Sequence, residues 1–334
     1  MKVLYLSEWY PSRRDKMAGL FVQKHAQAVA AQGCEVRVNT FWAQADIVQL
    51  NVLTLKKGLI AYVLKRVFGI PYIIVEHWSG YLPENGAFER FAGWKKKLLR
   101  MIAIEASGIY PVSDVLAENM KRCGIENARW GKINNVVDDF FYQSVVRIHQ
   151  SEITNLLHVS CFDERAKNVC GLLRAIKQIS EKRQDFCLTL VGTGKDWQMC
   201  RDYAKELAIP ELLLQWTGEV PPEKVCEYMQ RSDVFVASSR YENAPVVLSE
   251  CIAVGLPVIA TEVGGISEMI HKKMGLLVTS EDDDALAQAI EYMLDHYQEY
   301  DKASIRSYGK QYAMDEVGKR LISIYQAAIG KKCE

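Results

Sequence analysis

The sequence predicts an α/β protein built from two Rossmann-like parallel-sheet domains. Three observations carry this. A length of 334 residues suits two domains of about 150 residues each. Short β-branched runs alternate with helical patterns almost throughout, as βαβ units do when a parallel sheet is covered on both faces. The alternation lapses into polar, mixed residues between about Asp138 and Ile153 and then restarts, which marks a linker.

In the first half the pattern predicts a strand at Val3–Ser7, a helix from about Leu20 to Gly33 and strands at Glu35–Phe41 and Asp46–Asn51. A helix through Lys65, stopped by Gly69, leads to a strand at Tyr72–Glu76. A helix over Lys95–Ala106 follows, then a strand at Ile109–Val112, a Ser113-capped helix to Gly124 and a last strand near Lys132–Asn134. Trp42-Ala43-Gln44 is too short a link for the strands on either side of it to be parallel neighbours, since a parallel crossover needs a dozen or more residues.

The second half reads as strand Leu156–Phe162, helix Asn168–Ser180, strand Cys187–Val191, helix Trp197–Ala208, strand Leu212–Trp216 and helix Pro222–Arg231. Strand Val234–Ala237, helix Val246–Val254, strand Val258–Ala260, a run at Leu276–Val278 and a helix starting within Glu281–Asp284 complete a second sheet. The domains are placed at 1–143 and 154–305.

Composition narrows the function classes. A chain that is 49% hydrophobic and 25% charged, with equal acidic and basic counts, is soluble and globular, and its zero net charge argues against a nucleic-acid partner. The apolar run Val3 to Leu6 is too short for a signal peptide, Glu8 interrupts it, and no later run reaches the length of a transmembrane helix, so a cytoplasmic location is expected. Nine cysteines from Cys34 to Cys333, without a C-x-x-C pair, read as reduced and mostly structural residues. Metal binding is not expected. Asp282 and Asp284 form a D-x-D string, yet acids in a first helical turn already suit the helix dipole.

In doubly wound sheets ligands gather at the carboxyl ends of the strands. The segment Ser238-Ser239-Arg240-Tyr241-Glu242-Asn243-Ala244-Pro245-Val246 to Glu250 puts Glu242 in a strand-to-helix loop and Glu250 on the helix after it. The helix start presents unpaired N–H groups suited to phosphate or sugar oxygens. Two glutamates eight apart also arise in ordinary charged helices, so spacing alone proves little. Val191-Gly192-Thr193-Gly194-Lys195 suits a tight turn as well as a ligand loop, and lacks the third glycine of a dinucleotide fingerprint. His77, at the end of a buried strand and before Trp78 and Gly80, suits hydrogen bonding or proton handling, although a lone histidine is more often structural.

The Glu242 to Glu250 segment, with Gly255-Leu256-Pro257-Val258 and Val263-Gly264-Gly265 behind it and Pro11 to Gly19 at the front, resembles the retaining nucleotide-sugar glycosyltransferases of family 4. That resemblance spans nearly the whole chain. It implies the GT-B fold, two Rossmann-like domains facing across a cleft, with the C-terminal helix, 306–330, packed back on the first. It also implies a nucleotide diphosphate sugar as donor, no cofactor and no metal. A glycan or lipid-linked acceptor is implied, in cell-surface polysaccharide or glycolipid synthesis.

The same resemblance places Glu242 at the reacting face of the transferred sugar, Glu250 on the ribose hydroxyls, and backbone groups of Asn243, Ala244 and Val246 on sugar hydroxyls or diphosphate. Lys167 matches the family's diphosphate lysine. Cys161 stands where the family has arginine, which leaves Arg165 to supply the guanidinium. Gly192 and Gly194 would lie near the nucleoside, Glu219 and Val220 at the base, Gly19 at a phosphate, and His77 near the acceptor and sugar. No residue presents itself as a covalent nucleophile.

Two basic clusters, Lys65-Arg66 and Lys95-Lys96-Lys97 with Arg100, suit an anionic membrane surface and a peripheral position, or are simply solvated faces. The rival readings are a nicotinamide-dependent oxidoreductase, which lacks its G-x-G-x-x-G, a catalytically impaired sugar-nucleotide-binding scaffold, and a nucleotide-sugar epimerase of the same fold.

Overall fold

A computed structural model describes residues 1–12, 15, 18–143 and 153–330. Arg13, Arg14, Lys16 and Met17 of the loop before Gly19, the linker residues 144–152 and Cys333 lie outside the described residues. The chain divides into two units, Met1–Asp138 with the segment from Gln311 onward, and Asp139–Lys310.

The first unit is built from β1 (Lys2–Ser7), α1 (Leu20–Ala31), β2 (Glu35–Val38), β3 (Ile47–Asn51), α2 (Leu55–Phe68), β4 (Tyr72–Glu76), α3 (Gly93–Glu105), β5 (Ile109–Pro111) and α4 (Asp114–Arg122). Its sheet is parallel, in the order β2-β1-β3-β4-β5. β1 separates β2 from β3, so the short link between them joins strands that are not neighbours. β2 ends at Val38 rather than Phe41 because Asn39 turns left-handed (φ 52°) and accepts the Ser7 N–H on its side chain at 3.0 Å. The strand expected near Lys132–Asn134 is absent. Residues 129–133 run beside β5 on three backbone hydrogen bonds of 3.0–3.1 Å, but β5 is three residues long and only Trp130 forms a bridge with it.

The C-terminal helix, Met314–Ile329, packs on α1. Gly318 permits the contact, since a Cβ there would lie 2.6 Å from the Ala28 carbonyl oxygen. Tyr325 reaches into the sheet, sharing a 2.9 Å hydroxyl–hydroxyl bond with Tyr5 and donating to Gln49.

The second unit contains α5 (Asp139–Tyr142), β6 (Thr154–Val159), α6 (Glu164–Lys167), α7 (Val169–Ser180), β7 (Phe186–Val191), α8 (Trp197–Glu206), β8 (Leu214–Gly218), α9 (Pro222–Arg231), β9 (Val234–Ala237), α10 (Val246–Val254), β10 (Val258–Thr261), β11 (Gly275–Val278), α11 (Asp283–His296) and α12 (Lys302–Gly309). Its parallel sheet runs β11-β10-β9-β6-β7-β8. β8 begins two residues later than expected because Glu211–Leu213 forms a 3-10 turn. Asp282 caps α11 through the Ala285 N–H at 2.8 Å, Asp283 pairs with Arg174 and Asp284 accepts from Gln178. The D-x-D string thus serves the helix start.

Each sheet reverses its strand order once, between β1 and β3 in the first unit and between β6 and β9 in the second. Connections leave such neighbours in opposite directions, which opens a crevice at their carboxyl ends.

Glu76, fully buried at the end of β4, fixes the loops at the first of these crevices. Its carboxylate accepts the N–H groups of Leu53, His77 and Trp78, each at 2.9 Å. Burial pushes its pKa up to about 7 while the three amides pull it down. The folded state therefore holds this proton between about pH 4.5 and 7, where the unfolded chain has lost it. The proton-linked stability from Glu76 is complete below pH 4.5 and is lost as pH rises through 7. Urea unfolding of Glu76→Gln should show a fall in stability between pH 5 and 7.5 that is flatter than in the parent, by up to about 1.4 kcal/mol per pH unit. An unchanged slope would remove Glu76 from this role.

Candidate functional site

The second unit brings the loops after β6 and β9 together at its strand reversal. His158, buried in β6, ties the two strands: Nδ1 bonds the Val236 carbonyl and Nε2 bonds the Ser160 hydroxyl, both at 2.9 Å. Burial lowers its pKa to about 4, so the ring is neutral. The carbonyl can only accept, which puts the ring proton on Nδ1 and leaves Nε2 to accept from Ser160.

Beyond the strand ends, the Lys167 ammonium meets Oε1 of Glu242, and the Ser239 hydroxyl donates to the same oxygen at 3.0 Å. Both side chains are largely enclosed, 20% and 14% exposed. Burial alone would lower the Lys167 pKa; contact with Glu242 outweighs it and holds the ammonium above its usual range. The lysine is therefore a cation at neutral pH.

Lys167 is held by its own loop. The α6 turn is capped by Asp163, which accepts the Arg165 N–H at 3.2 Å. Arg240 clamps that turn from the β9 loop: its guanidinium donates to the Glu164 carbonyl and to Asn168 Oδ1, the latter at 2.6 Å, and its N–H donates to the Ala166 carbonyl at 2.7 Å. The Ser238 hydroxyl bonds the Lys167 carbonyl at 2.9 Å. Arg165 itself is exposed and has no ion pair among the described residues. Cys161, also exposed, stands two residues past the end of β6.

Glu242 is positioned by a close backbone approach. A Cβ on Gly264 would stand 1.6 Å from the Glu242 carbonyl oxygen, and Gly264 is left-handed (φ 52°). Only glycine lets the loop after β10 lie there. Gly192 and Gly194 have the same cause: a Cβ would stand 2.0 Å from the Ser160 carbonyl oxygen in one case and 1.7 Å from that of Cys161 in the other. Their first role is to let the loops after β6 and β7 touch. Gly192 N–H also bonds the Gly218 carbonyl at 2.8 Å, which brings in the loop of Glu219 and Val220, where Thr193 donates weakly to Glu219 at 3.5 Å.

Asn243 and Ala244 lie in the turn before α10, Val246 is its first residue, and Pro245 is the residue just before the helix. Glu250 is partly buried one turn into α10. Lys167, Glu242 and the α10 start thus surround one point at the carboxyl ends of β6 and β9, while the Gly192, Gly194, Glu219 and Val220 loops extend the rim along β7 and β8.

Gly19 and His77 belong to the first unit and lie close to each other there. Gly19 is left-handed (φ 66°) at the head of α1, and a Cβ on it would stand 2.3 Å from the Trp9 carbonyl oxygen. His77 packs on Phe21, ring centroids 4.2 Å apart, and on His25 at 5.5 Å. Burial and the neighbouring His25 hold its pKa well below the usual value, against a hydrogen bond with Asn135. Its imidazole is neutral and suits hydrogen bonding rather than charge.

Sequence reasoning missed four residues. Glu76 was readable as an acid closing an apolar run, whereas His158, Ser239 and Arg240 carried no signal of their own. Nor did the spacing indicate that Cys170 and Cys200 converge. Their sulfurs and a Glu164 oxygen lie within 4.8 Å of one another, and the Glu164 carboxylate accepts the Cys170 N–H at 3.0 Å. The eight described cysteines are free.

The sequence profile of the family described as "Glycosyl transferases group 1" matches residues 154–296. The chain is 42% identical over 74 residues to the putative teichuronic acid biosynthesis glycosyltransferase TuaC of Bacillus subtilis (strain 168), covering 22% of this chain and 19% of TuaC. It is 27% identical over 176 residues to the D-inositol 3-phosphate glycosyltransferase of Corynebacterium urealyticum, covering 49% and 41%. The chain thus spans less than half the length of these curated relatives. In structure it is similar to Anabaena Alr3699/HepE in complex with UDP, with a TM-score of 0.78 over 98% of this chain and 100% of that one at 16% identity, which shows a shared fold.

The geometry predicts strong coupling between Lys167 and Glu242. Removing either partner leaves the other charge partly buried and should cost about 3 kcal/mol of unfolding free energy. Urea unfolding of Lys167→Met, Glu242→Gln and the double variant should show the double costing less than the sum by at least about 1 kcal/mol. Additive losses would mean the pair is not an energetic unit.

Proposed function

From the match of residues 154–296 to the group 1 glycosyl transferases, we propose that the chain is a retaining, metal-independent glycosyltransferase. It moves a hexose-type sugar from a nucleotide diphosphate sugar to a glycan or lipid-linked acceptor in cell-surface polysaccharide or glycolipid synthesis. The observation that carries the reading is the Lys167–Glu242 pair beside the start of α10 at the strand reversal.

Lys167 supplies positive charge for the diphosphate, and N–H groups around Asn243, Ala244 and Val246 add dipoles directed at the charge that grows as it leaves. Arg165, exposed on the same turn, adds a guanidinium where Cys161 offers none. Glu242 holds Lys167 and Ser239 on one oxygen and turns its other to the sugar, stabilising an oxocarbenium-like centre. The acceptor hydroxyl attacks from the face the diphosphate leaves, and the leaving phosphate oxygen takes its proton. Glu250 accepts the ribose hydroxyls, the loops of Gly192, Gly194, Glu219 and Val220 carry the nucleoside, and Gly19 and His77 serve phosphate and acceptor. Among the described residues no helix is long and apolar enough to cross a membrane, and a peripheral position on the inner membrane face fits the lipid-linked acceptor.

The structural neighbour HepE has been solved in complex with UDP-glucose, which makes a UDP-sugar the first donor to try beside GDP- and ADP-sugars. With chelator present, the correct donor at a hundred times its Kd should raise the melting temperature by roughly 5–10 °C. Glu250→Ala should abolish most of that shift. No shift from any of the three at millimolar concentration, or an equal shift in the variant, would contradict the donor site and favour a scaffold.

A further inference from the structure

Cys170 and Cys200 bring two thiols together at the starts of α7 and α8. Cys170 is the second residue of α7 and Cys200 the fourth of α8. Both face the core of the second unit, where Cys200 is wholly buried and Cys170 is 9% exposed. Their sulfurs lie within 4.8 Å of each other and share a hydrogen bond. The Met199 thioether stands 3.8 Å from the Cys170 sulfur, and Met199 is itself exposed, so Cys170 is the thiol nearer the surface.

The surroundings suit thiol chemistry better than a metal ion. Glu164 is the third possible ligand, but one of its oxygens accepts the Cys170 N–H at 3.0 Å and the other faces the Arg240 guanidinium at 3.4 Å. Two thiolates alone are too few for a closed zinc site. Arg174, one turn along α7, adds positive charge that favours a thiolate at Cys170. The hydrogen bond from Cys200 lowers the Cys170 pKa, against burial and Glu164, and the same bond together with burial pushes the Cys200 thiol up. The shared proton therefore stays on Cys200, which makes Cys170 the attacking sulfur and Cys200 the resolving one.

This pair sits against the turn that carries Lys167. The Glu164 carboxylate holds the α7 start through the Cys170 N–H, and the Glu164 N–H donates at 2.8 Å to Asp196, at the head of α8. The Asp196 N–H in turn donates to the Phe162 carbonyl at 3.1 Å. The α6 turn is thus bonded to both helix starts. Closing the sulfurs to the ~2.05 Å of a disulfide draws those starts together and takes the α6 turn with them. Misplacing a positioned group by about 1 Å costs much of what it contributes.

We propose that Cys170 and Cys200 are an oxidation site that hydrogen peroxide converts to a disulfide, and that this bridge weakens donor binding by moving the Lys167 turn. In the first step the Cys170 sulfur bonds one peroxide oxygen, the O–O bond breaks, and the departing hydroxide takes up a proton to become water. In the second the Cys200 sulfur bonds the Cys170 sulfur, the S–O bond of the sulfenic acid breaks, and its oxygen leaves as water with the Cys200 proton. Two thiols lose two electrons and two protons, and one peroxide becomes two waters. The proposal rests on the glycosyltransferase reading for the donor and on the thiol geometry alone for the bridge.

Peptide mapping of the full chain after treatment with hydrogen peroxide tests it, with Cys200→Ala as the comparison. The parent should yield a bridge between Cys170 and Cys200 that dithiothreitol reverses, while Cys200→Ala should hold Cys170 as a sulfenic acid that dimedone labels. The parent's map decides by itself if the variant fails to fold. Calorimetric titration with whichever of UDP-glucose, GDP-glucose and ADP-glucose binds the reduced chain should give a Kd about threefold higher or more after bridging, and dithiothreitol should restore it. A bridge through Cys161 or another cysteine, oxidation confined to Met199, or zinc retained by the reduced chain would overturn the thiol pair. An unchanged Kd in the bridged chain would overturn its effect on the donor site. A chain that forms the bridge but binds none of the three nucleotide sugars when reduced sinks the transferase reading and leaves the pair standing.

Discussion

The contact between Lys167 and Glu242 joins the two loops that a parallel sheet most readily leaves open. Strands β6 and β9 are neighbours, but their connections depart in opposite directions, so nothing in the sheet itself holds the loop ends together. The ion pair does so, supported by His158 between the strands below and Arg240 across the α6 turn above. A pair this enclosed brings little net stability, because desolvation offsets most of the attraction. What it achieves is placement: a cation and a carboxylate held within contact distance beside the N–H groups of a helix start. Three glycines of the second unit serve that placement. Gly264 lets the β10 loop lie against Glu242, and Gly192 and Gly194 let the β7 loop lie against the residues leading to Lys167.

The first unit solves the same topological problem with different chemistry. Its crevice is pinned by a buried carboxylate on three backbone amides rather than by an ion pair. Around it lie aromatic rings and neutral imidazoles. One crevice therefore presents an enclosed cation and carboxylate, and the other a buried acid beside neutral rings.

The fold was legible in the sequence because both sheets are buried on two faces, which writes their strands as apolar runs such as Tyr72–Glu76 and Val234–Ala237 between helical periods. Legibility failed where local geometry overrode the pattern. Asn39 ended β2 early by turning left-handed, and residues 129–133 had too short a partner in β5 to become a strand. Of the candidate site, Glu242, Lys167 and the α10 start could be found because they sit in loops after strands, at spacings that resemble a family. Their supports could not. His158 looks like any strand residue, and the partners of Ser239 and Arg240 lie 3 to 76 positions away in sequence. The glycines of Val191-Gly192-Thr193-Gly194 were visible, but their cause, two carbonyls thirty-odd residues earlier, exists only in the folded chain.

The central claim is that the point between Lys167 and the start of α10 holds the donor's diphosphate. Its most direct test is a crystal structure of the full chain soaked with the nucleotide diphosphate sugar that binds it. The account predicts diphosphate density within hydrogen-bond reach of the Lys167 Nζ and of the N–H groups at the α10 start, with the ribose on Glu250. A nucleotide bound elsewhere, with no phosphate oxygen near Lys167, would contradict it.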